Sequence, residues 1–491
     1  MIFHIVKREL YDHLSSLRFA LTTLLILILM IVNAVAYLGE YKQQMNIYQN
    51  NVAATHNRLK RHSDTLYHLV LKGPGDLYKK PSPLAFCADG GTDLLFRHVR
   101  GGTASRTRRW EGEDTSYRFT EIWRLVYPQA SPDLGFFSPR RSNTWSILPD
   151  FIKIDWAFVT AIVLSFMGIL FTFDAISGEQ EHGTLRLMLA NSVSRNAVIC
   201  GKFLGAFFSI AIPFLIGTIV SLSIIYLSEA IQFKGSDWMR MGVIVCVALV
   251  YTSIFILLGI LVSTLTKQSS TSLVILLLIW TVWVVLTPNA LGSLSSRLHA
   301  RPSPKEFVTQ YRNSRQDLQT RYFARIKEPP RREIPATVAT ALGAEYVNKD
   351  AELRDRLHAD YLSTELRQIQ TARSLTRVSP AAVVQYAFEA FAGTGLPRHL
   401  DFISQTRQYA KQFRQFLIDT DRTDPESPHA IGIPEGTSQK PVNFEAIPKF
   451  EDRHRFSADF NAAIVDLLLL ILFLLVLFIS TFLSLLRKEI E

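Results

Sequence analysis

The hydrophobic residues of this chain are concentrated in six long runs that are separated by polar segments. A helix needs about 20 predominantly apolar residues to cross the core of a bilayer, and each run approaches or exceeds that length. The runs are continuously apolar and lack the alternation of barrel strands, so they predict helices. We therefore predict an all-α polytopic membrane protein. Its transmembrane helices are expected at residues 19–39, 155–176, 203–228, 241–264, 271–290 and 463–486.

Two of the polar segments, 40–154 and 291–460, are large enough to be domains. The first segment predicts a helix from Tyr41 to about Leu71, which Gly73-Pro74-Gly75 ends. Short strands are expected after this break, so we predict an α+β domain. The second is predicted to be mostly helical, because its apolar residues recur at helical spacing, as in Tyr409, Phe413 and Phe416.

The positive charges of the short segments predict the orientation, because Lys and Arg concentrate on the cytosolic side. With the N-terminus in the cytosol, nine basic residues lie in the inner short segments: Lys7, Arg8, Arg18, Arg186, Arg195, Lys202, Lys267, Arg487 and Lys488. The short outer loop 229–240 holds only Lys234 and Arg240. Both termini are therefore predicted to be cytosolic, and segments 40–154 and 291–460 to be extracytoplasmic.

The formal net charge of +10 lies in these two outer segments. Segment 40–154 has 17 Lys and Arg against 11 Asp and Glu, and segment 291–460 has 25 against 21. The excess either attracts an anionic surface or an extracytoplasmic partner, or is ordinary solvated surface.

Residues 1–18 predict an amphipathic helix. Phe3, Val6, Leu10, Leu14 and Leu17 recur at helical spacing. We interpret it as a cytosolic helix at the inner membrane surface; the alternative is a simple extension of the first span.

No motif for covalent chemistry is present in the sequence. A phosphate-binding G-x-x-x-x-G-K-[ST] loop is absent, and Gly201-Lys202 lacks both the upstream glycine and the following Ser or Thr. His56, His62 and His68 recur every six residues and would point to different faces of a helix. We predict no catalytic residue, no metal site, no bound cofactor and no nucleic-acid partner.

Polar residues inside or at the ends of the apolar runs are candidates for function. Asn33 is expected to make a helix–helix hydrogen bond. Asp174 and Asp466 lie near the ends of their runs and are expected to be hydrated, so a structural role is weighed at least equally with a functional one.

The polar segment 177–202, between the second and third runs, is the most informative one. It begins Ser177-Gly178-Glu179-Gln180-Glu181-His182-Gly183-Thr184-Leu185-Arg186-Leu187-Met188-Leu189 and continues to Ser194-Arg195 and Gly201-Lys202. This segment resembles the ABC type 2 permease family, in particular the NosY-like branch associated with multi-copper enzyme maturation. The family pattern is approximately E-x-E-x-G-T-L-x-x-L-L, a turn with V/I-S-R, and then G-K. Ser192 departs from it, because the family often has proline there.

The resemblance also covers Val6-Lys7-Arg8-Glu9-Leu10 and the layout of six spans, but not the two large outer segments. It implies that 177–202 is a cytosolic coupling loop held by a separate ATPase subunit. The residues expected to carry the coupling are Glu179, Glu181, Gly183, Thr184, Leu185, Met188, Leu189, Arg195 and Lys202.

The chemistry of these residues agrees with that role. Leu185, Met188 and Leu189 form an apolar ridge at i, i+3 and i+4. Glu179 and Glu181 lie at the start of the helix and suit its positive end. Gly183 is expected to allow close approach, and Arg195 and Lys202 to anchor the exit of the loop at the membrane surface. The alternative is a short amphipathic turn that only lies on lipid.

The resemblance implies a permease subunit of an ABC transporter, an exporter in the bacterial inner membrane. It is expected to pair with a second copy or a related permease, and ATP and Mg are expected on the partner ATPase. The alternative is a mechanotransmission protein, in which ATP-driven movement acts on an extracytoplasmic partner and nothing crosses the membrane.

Overall fold

The computed structural model describes residues 2–90, 97–102, 108–111, 116–119, 123–126, 154–183, 195–291, 304–327, 336–433 and 436–487. Helices dominate these residues. They are α1 (Ile2–Leu14), α2 (Leu17–His62), α3 (Leu66–Lys72), α4 (Trp156–Leu170), α5 (Ser177–Glu181), α6 (Arg195–Leu227), α7 (Gly235–Leu265), α8 (Ser269–Leu291), α9 (Pro304–Lys327), α10 (Ala336–Thr376), α11 (Pro380–Ala392), α12 (Gly395–Arg422) and α13 (Phe456–Arg487).

Five of the described helices are long and apolar enough to cross a membrane: α2, α6, α7, α8 and α13. The predicted span 155–176 contains α4, a shorter apolar helix with a π-helical segment at Val159–Leu164, followed by turns at 171–176. Asp155 caps α4 by accepting a hydrogen bond of 2.7 Å from the backbone N–H of Phe158. The helix within the second predicted span is therefore shorter than the helices that contain the other five.

Helix α7 is the centre of the bundle, because 72% of its most apolar stretch is buried. The corresponding share is 22% for α2, 17% for α8 and 22% for α13, so these helices present wide apolar faces to the surroundings. Helix α13 packs on α7, and α1 and α2 pack on α6. We call the end of the bundle with α1 and α5 the terminal end, and the end with the two long insertions the insertion end.

Helix α2 is one uninterrupted element of 46 residues. The Ser16 hydroxyl caps its start by accepting a hydrogen bond from the N–H of Phe19. The sequence predicts a boundary at residue 39 between a span and an outer helix. The structure has none there, because the change from apolar to polar residues alters the surroundings of a helix without ending it.

Short antiparallel strands follow α3 in the first insertion. They are β1 (Leu77–Tyr78), β2 (His98–Gly102), β3 (Arg108–Glu111), β4 (Ser116–Phe119) and β5 (Arg124–Val126). The described strands form one sheet in the order β1-β2-β5 and a β3-β4 hairpin. Leu77 pairs with Val99, and Gly101 pairs with Leu125.

The two insertions share one hydrophobic core. Leu69, Val99 and Trp123 from the first pack with Phe402 and Phe413 from the second. The rings of Trp123 and Phe413 meet edge to face at 5.2 Å. The prediction treated 40–154 and 291–460 as separate domains, whereas the described parts of both fold around a common set of side chains.

Helix α11 lies at the base of the insertions and packs against α13 and α7. Almost all of its residues are buried, and Gly393, with φ of 66°, ends it in the left-handed conformation. Just before α11, Arg377 donates to Asp466 of α13 through Nε at 2.7 Å and Nη2 at 3.1 Å. The expectation that Asp466 is hydrated is wrong, because this carboxylate is 0% exposed and its charge is balanced by Arg377 instead of by water.

A second buried ion cluster ties α7 to α13 at the insertion end. The Arg240 guanidinium donates to Asp459 Oδ2 at 2.8 Å and to Asp237 Oδ1 at 2.9 Å. His454 Nε2 lies 2.5 Å from the other oxygen of Asp459. All three charged side chains are less than a tenth exposed, so this cluster belongs to the interior of the protein.

Candidate functional site

The terminal end contains the predicted coupling segment, which begins with the five-residue helix α5. A helix this short has no stability of its own, so its position depends on bonds to neighbours. Ser263 of α7 supplies the first of these, because its hydroxyl accepts hydrogen bonds from the backbone N–H of Ile176 at 2.9 Å and of Ser177 at 3.0 Å. The start of α5 is thereby fixed to the end of α7.

The end of α5 is fixed to α8. Glu181 accepts hydrogen bonds from the hydroxyl of Ser269 at 2.9 Å and from its backbone N–H at 3.3 Å. These bonds hold the pKa of the Glu181 carboxyl below its usual value. Gly183 has φ of 72°, which favours glycine, and no described atom comes within 4 Å of the position of a Cβ. Within this chain Gly183 thus serves the backbone turn, whereas the sequence suggested a close approach.

Lys202 of α6 joins α5 to α1. Its ammonium lies 2.8 Å from Glu9 of α1 and 3.6 Å from Glu179 of α5. The residue is 5% exposed, so Lys202 is buried between helices of its own chain instead of anchoring the loop at the surface.

His13 completes the surroundings of Glu9, with its Nε2 3.9 Å from the second carboxylate oxygen. Burial lowers the pKa of His13 below its usual value, which favours the neutral imidazole. Lys202 is therefore the cation that balances Glu9.

Asp174 makes a looser contact with α2. The Arg18 guanidinium lies 3.5 Å from its carboxylate, and both side chains are well exposed, at 53% and 39%. Exposed pairs of this kind contribute about 0–1 kcal/mol, so this contact adds little to the stability of the fold.

The apolar ridge of the predicted site, with Thr184, Leu185, Met188 and Leu189, lies outside the described residues. Arg195 is the first residue of α6. Asn33 lies in α2 and donates to the carbonyl oxygens of Ile154 at 2.7 Å and Phe86 at 3.3 Å. It thus holds loop backbone at the insertion end, and the expected helix–helix bond is replaced by these two.

Sequence reasoning did not assign Glu9, Ser263 and Ser269 to this site. Glu9 lies within Val6–Leu10, a segment covered by the family resemblance, so the sequence could have pointed to it. Isolated serines near helix ends belong to no motif, so the sequence could not have pointed to Ser263 or Ser269. Among the residues described, no group of three or more His, Cys, Asp or Glu side chains could hold a metal ion. The arrangement is a set of hydrogen bonds and ion pairs. They connect residues 174–181 with α2, α6, α7 and α8, and through Lys202 with α1.

Known proteins share sequence similarity with this chain. A family model described as ABC-2 family transporter protein matches residues 3–490. The "Probable ABC transporter permease protein NosY" of Stutzerimonas stutzeri is 32% identical over 83 residues, 17% of this chain and 30% of that protein. The protein of the same name from Pseudomonas aeruginosa is 29% identical over 152 residues, 28% of this chain and 54% of that protein. The chain thus spans about half or less of the length of these two relatives.

Proposed function

Because the chain belongs to the ABC-2 family of transporter proteins, we propose that it is the transmembrane permease subunit of an ABC transporter that works as an exporter. A separate ATPase subunit binds ATP and Mg and hydrolyses the nucleotide. The terminal end faces the cytosol of a bacterial cell, α4 completes a set of six spans, and the insertions lie on the extracytoplasmic side. The chain itself carries out no covalent chemistry.

The observation that carries this proposal is the connection of the α5 segment to the rest of the terminal end. Ser263 ties it to α7, Ser269 to α8, and Lys202 to α6 and α1. A displacement of this loop would therefore be transmitted to the bundle through several helices at once. The residues after Gly183 provide the apolar ridge Leu185, Met188 and Leu189, which suits a groove on the ATPase.

A complete transporter needs a second permease, either another copy of this chain or a related one. The wide apolar faces of α2, α8 and α13 are compatible with contact to lipid and to such a partner. Two ATPase subunits that close on ATP would move two coupling loops together.

The test of the coupling role is the double variant Leu185→Asp/Met188→Asp. Two carboxylates in an apolar groove carry a desolvation cost, so we expect at least a tenfold weaker affinity for the ATPase subunit. Affinity is measured by titrating labelled ATPase onto the permease in lipid nanodiscs. His182→Asp, which places a charge on an exposed residue of the same loop, is the matched control and should change affinity less than twofold. Unchanged affinity in the double variant would exclude this ridge as the docking site.

Mechanotransmission remains a second candidate because the insertions are tied to the spans by buried ions. Arg377 before α11 reaches Asp466 of α13, so a shift of α13 would move the insertion. In that function the protein acts through movement of the outer helices. Preventing this movement should therefore stop ATP hydrolysis.

A cross-link between α10 and α12 separates the two functions. The Arg414 guanidinium lies 3.4 Å from the Asp355 carboxylate and both side chains are partly exposed, so cysteines at these positions can be joined by a bifunctional maleimide that spans the length of the two side chains. For a transporter we expect ATP hydrolysis in proteoliposomes to change less than twofold on cross-linking, with Asp355→Cys alone as the control. A stalled ATPase after cross-linking would favour mechanotransmission.

A further inference from the structure

Helices α1 and α6 pack so closely that two positions on α6 have no room for a side chain. A Cβ on Gly201 would lie 2.5 Å from Ile5 Cγ2, and a Cβ on Gly205 would lie 2.6 Å from the Cβ of Glu9. The two glycines are four residues apart and share a face of α6. Helix α1 therefore lies directly against the backbone of α6, and this places Glu9 beside Lys202.

Lys202 lies between these two glycines and also contacts a third element, α5. Its ammonium is shared by Glu9 and Glu179, whose side chains are 19% and 25% exposed. A buried ammonium is stable only when carboxylates or other acceptors balance it. Displacing α5 while α1 stays in place would therefore separate Lys202 from one of its two carboxylates, which is unfavourable.

We infer that Lys202 is a positioning residue that makes α1 move together with α5 when the ATPase displaces the coupling loop. This inference rests on the proposed function and deepens it, because it gives the loop a route into the bundle besides its covalent link to α6. The route runs from Glu179 through Lys202 to Glu9, and from α1 along the glycine face of α6. Since Lys202 is buried within its own chain, it transmits the movement and does not touch the ATPase.

The inference predicts that affinity and turnover respond differently to Lys202→Met. The ATPase should still bind within twofold of the original affinity, whereas permease-stimulated ATP hydrolysis should fall at least tenfold. Lys202→Arg keeps the charge and should restore at least half of the stimulated rate. Lys7→Met, which removes an exposed lysine from α1, is the control and should leave both quantities within twofold.

Glu9→Gln provides an independent variant in case Lys202→Met fails to fold. It removes the charge from the α1 side with almost no change of shape, and the same separation of affinity from turnover is expected. Unchanged stimulated hydrolysis in both variants would overturn the inference. A tenfold loss of affinity in Lys202→Met would also overturn it, because Lys202 would then contact the ATPase directly. Failure of the proposed function itself is recognised separately, by unchanged affinity in Leu185→Asp/Met188→Asp.

Discussion

Replacing Arg240 with alanine is expected to destabilise the protein by about 3–5 kcal/mol, because it leaves two buried carboxylates without their cation. The guanidinium lies between Asp237 and Asp459, and the three side chains are 5%, 7% and 7% exposed. The carboxylates would have to bind protons or draw water into the junction of α7 and α13. The measurement is the unfolding transition in detergent micelles, followed by tryptophan fluorescence.

Two variants make this prediction specific. Arg8→Ala removes an arginine that lies 3.8 Å from Asp12 with both side chains largely exposed, and it should cost less than about 0.5 kcal/mol. Adding Asp237→Asn and Asp459→Asn to Arg240→Ala should recover much of the lost stability, because the uncompensated charge is gone. A loss in Arg240→Ala no larger than that of Arg8→Ala would contradict the buried-charge account.

Replacing Lys79 with methionine is expected to stabilise the protein by about 3 kcal/mol near pH 7. Lys79 follows β1, and its Nζ is buried with no hydrogen-bond partner in the described part of the chain. Burial and the nearby Arg398 lower its pKa to about 8. Methionine keeps an unbranched apolar chain of similar length and removes the ammonium, so the packing is retained.

The pH dependence gives this prediction a sign. The pKa is about 8 in the folded protein and 10.5 in the unfolded chain, so between these values the unfolded chain binds more protons. Stability of the original protein should therefore rise with pH across this window relative to Lys79→Met. The free energy of unfolding of Lys79→Met should exceed that of the original protein by the full amount below about pH 8. This difference should disappear above about pH 10.5.

The control for Lys79→Met is Lys80→Met, which changes an exposed lysine at the next position and should have no such pH dependence. If Lys79→Met lowers stability at pH 7, its ammonium has a favourable partner and the argument from burial fails.

The spanning helices could be predicted from the sequence because length and apolar composition are sufficient to define them. The observed α7 and α13 cover the predicted 241–264 and 463–486, and α6 covers 203–227 of the predicted 203–228; each helix begins several residues earlier than predicted. Helix α4 illustrates the limit, because a run of suitable length contains a helix that stops at Leu170 and continues as turns.

The positions of the polar residues could not be predicted, because their partners are far away in the sequence. Lys202 is 193 residues from Glu9, and Asp466 is 89 residues from Arg377. A lysine next to a polar loop is typical of the membrane surface, and only the glycine-lined approach of α1 buries this one. Helix α11 could not be recognised from the sequence as a part of the bundle, because its 13 residues are too few to form a span.

The unbroken α2 makes the two sides of the membrane mechanically dependent on each other. Its 46 residues correspond to a rod of about 69 Å, whereas the apolar core of a bilayer is about 30 Å thick. Near its far tip, Leu59 is embedded in the core that both insertions share. A tilt of about 10° about the near tip would swing the far tip by about 12 Å. A small rotation of α2 on one side of the bilayer would therefore become a large displacement on the other side.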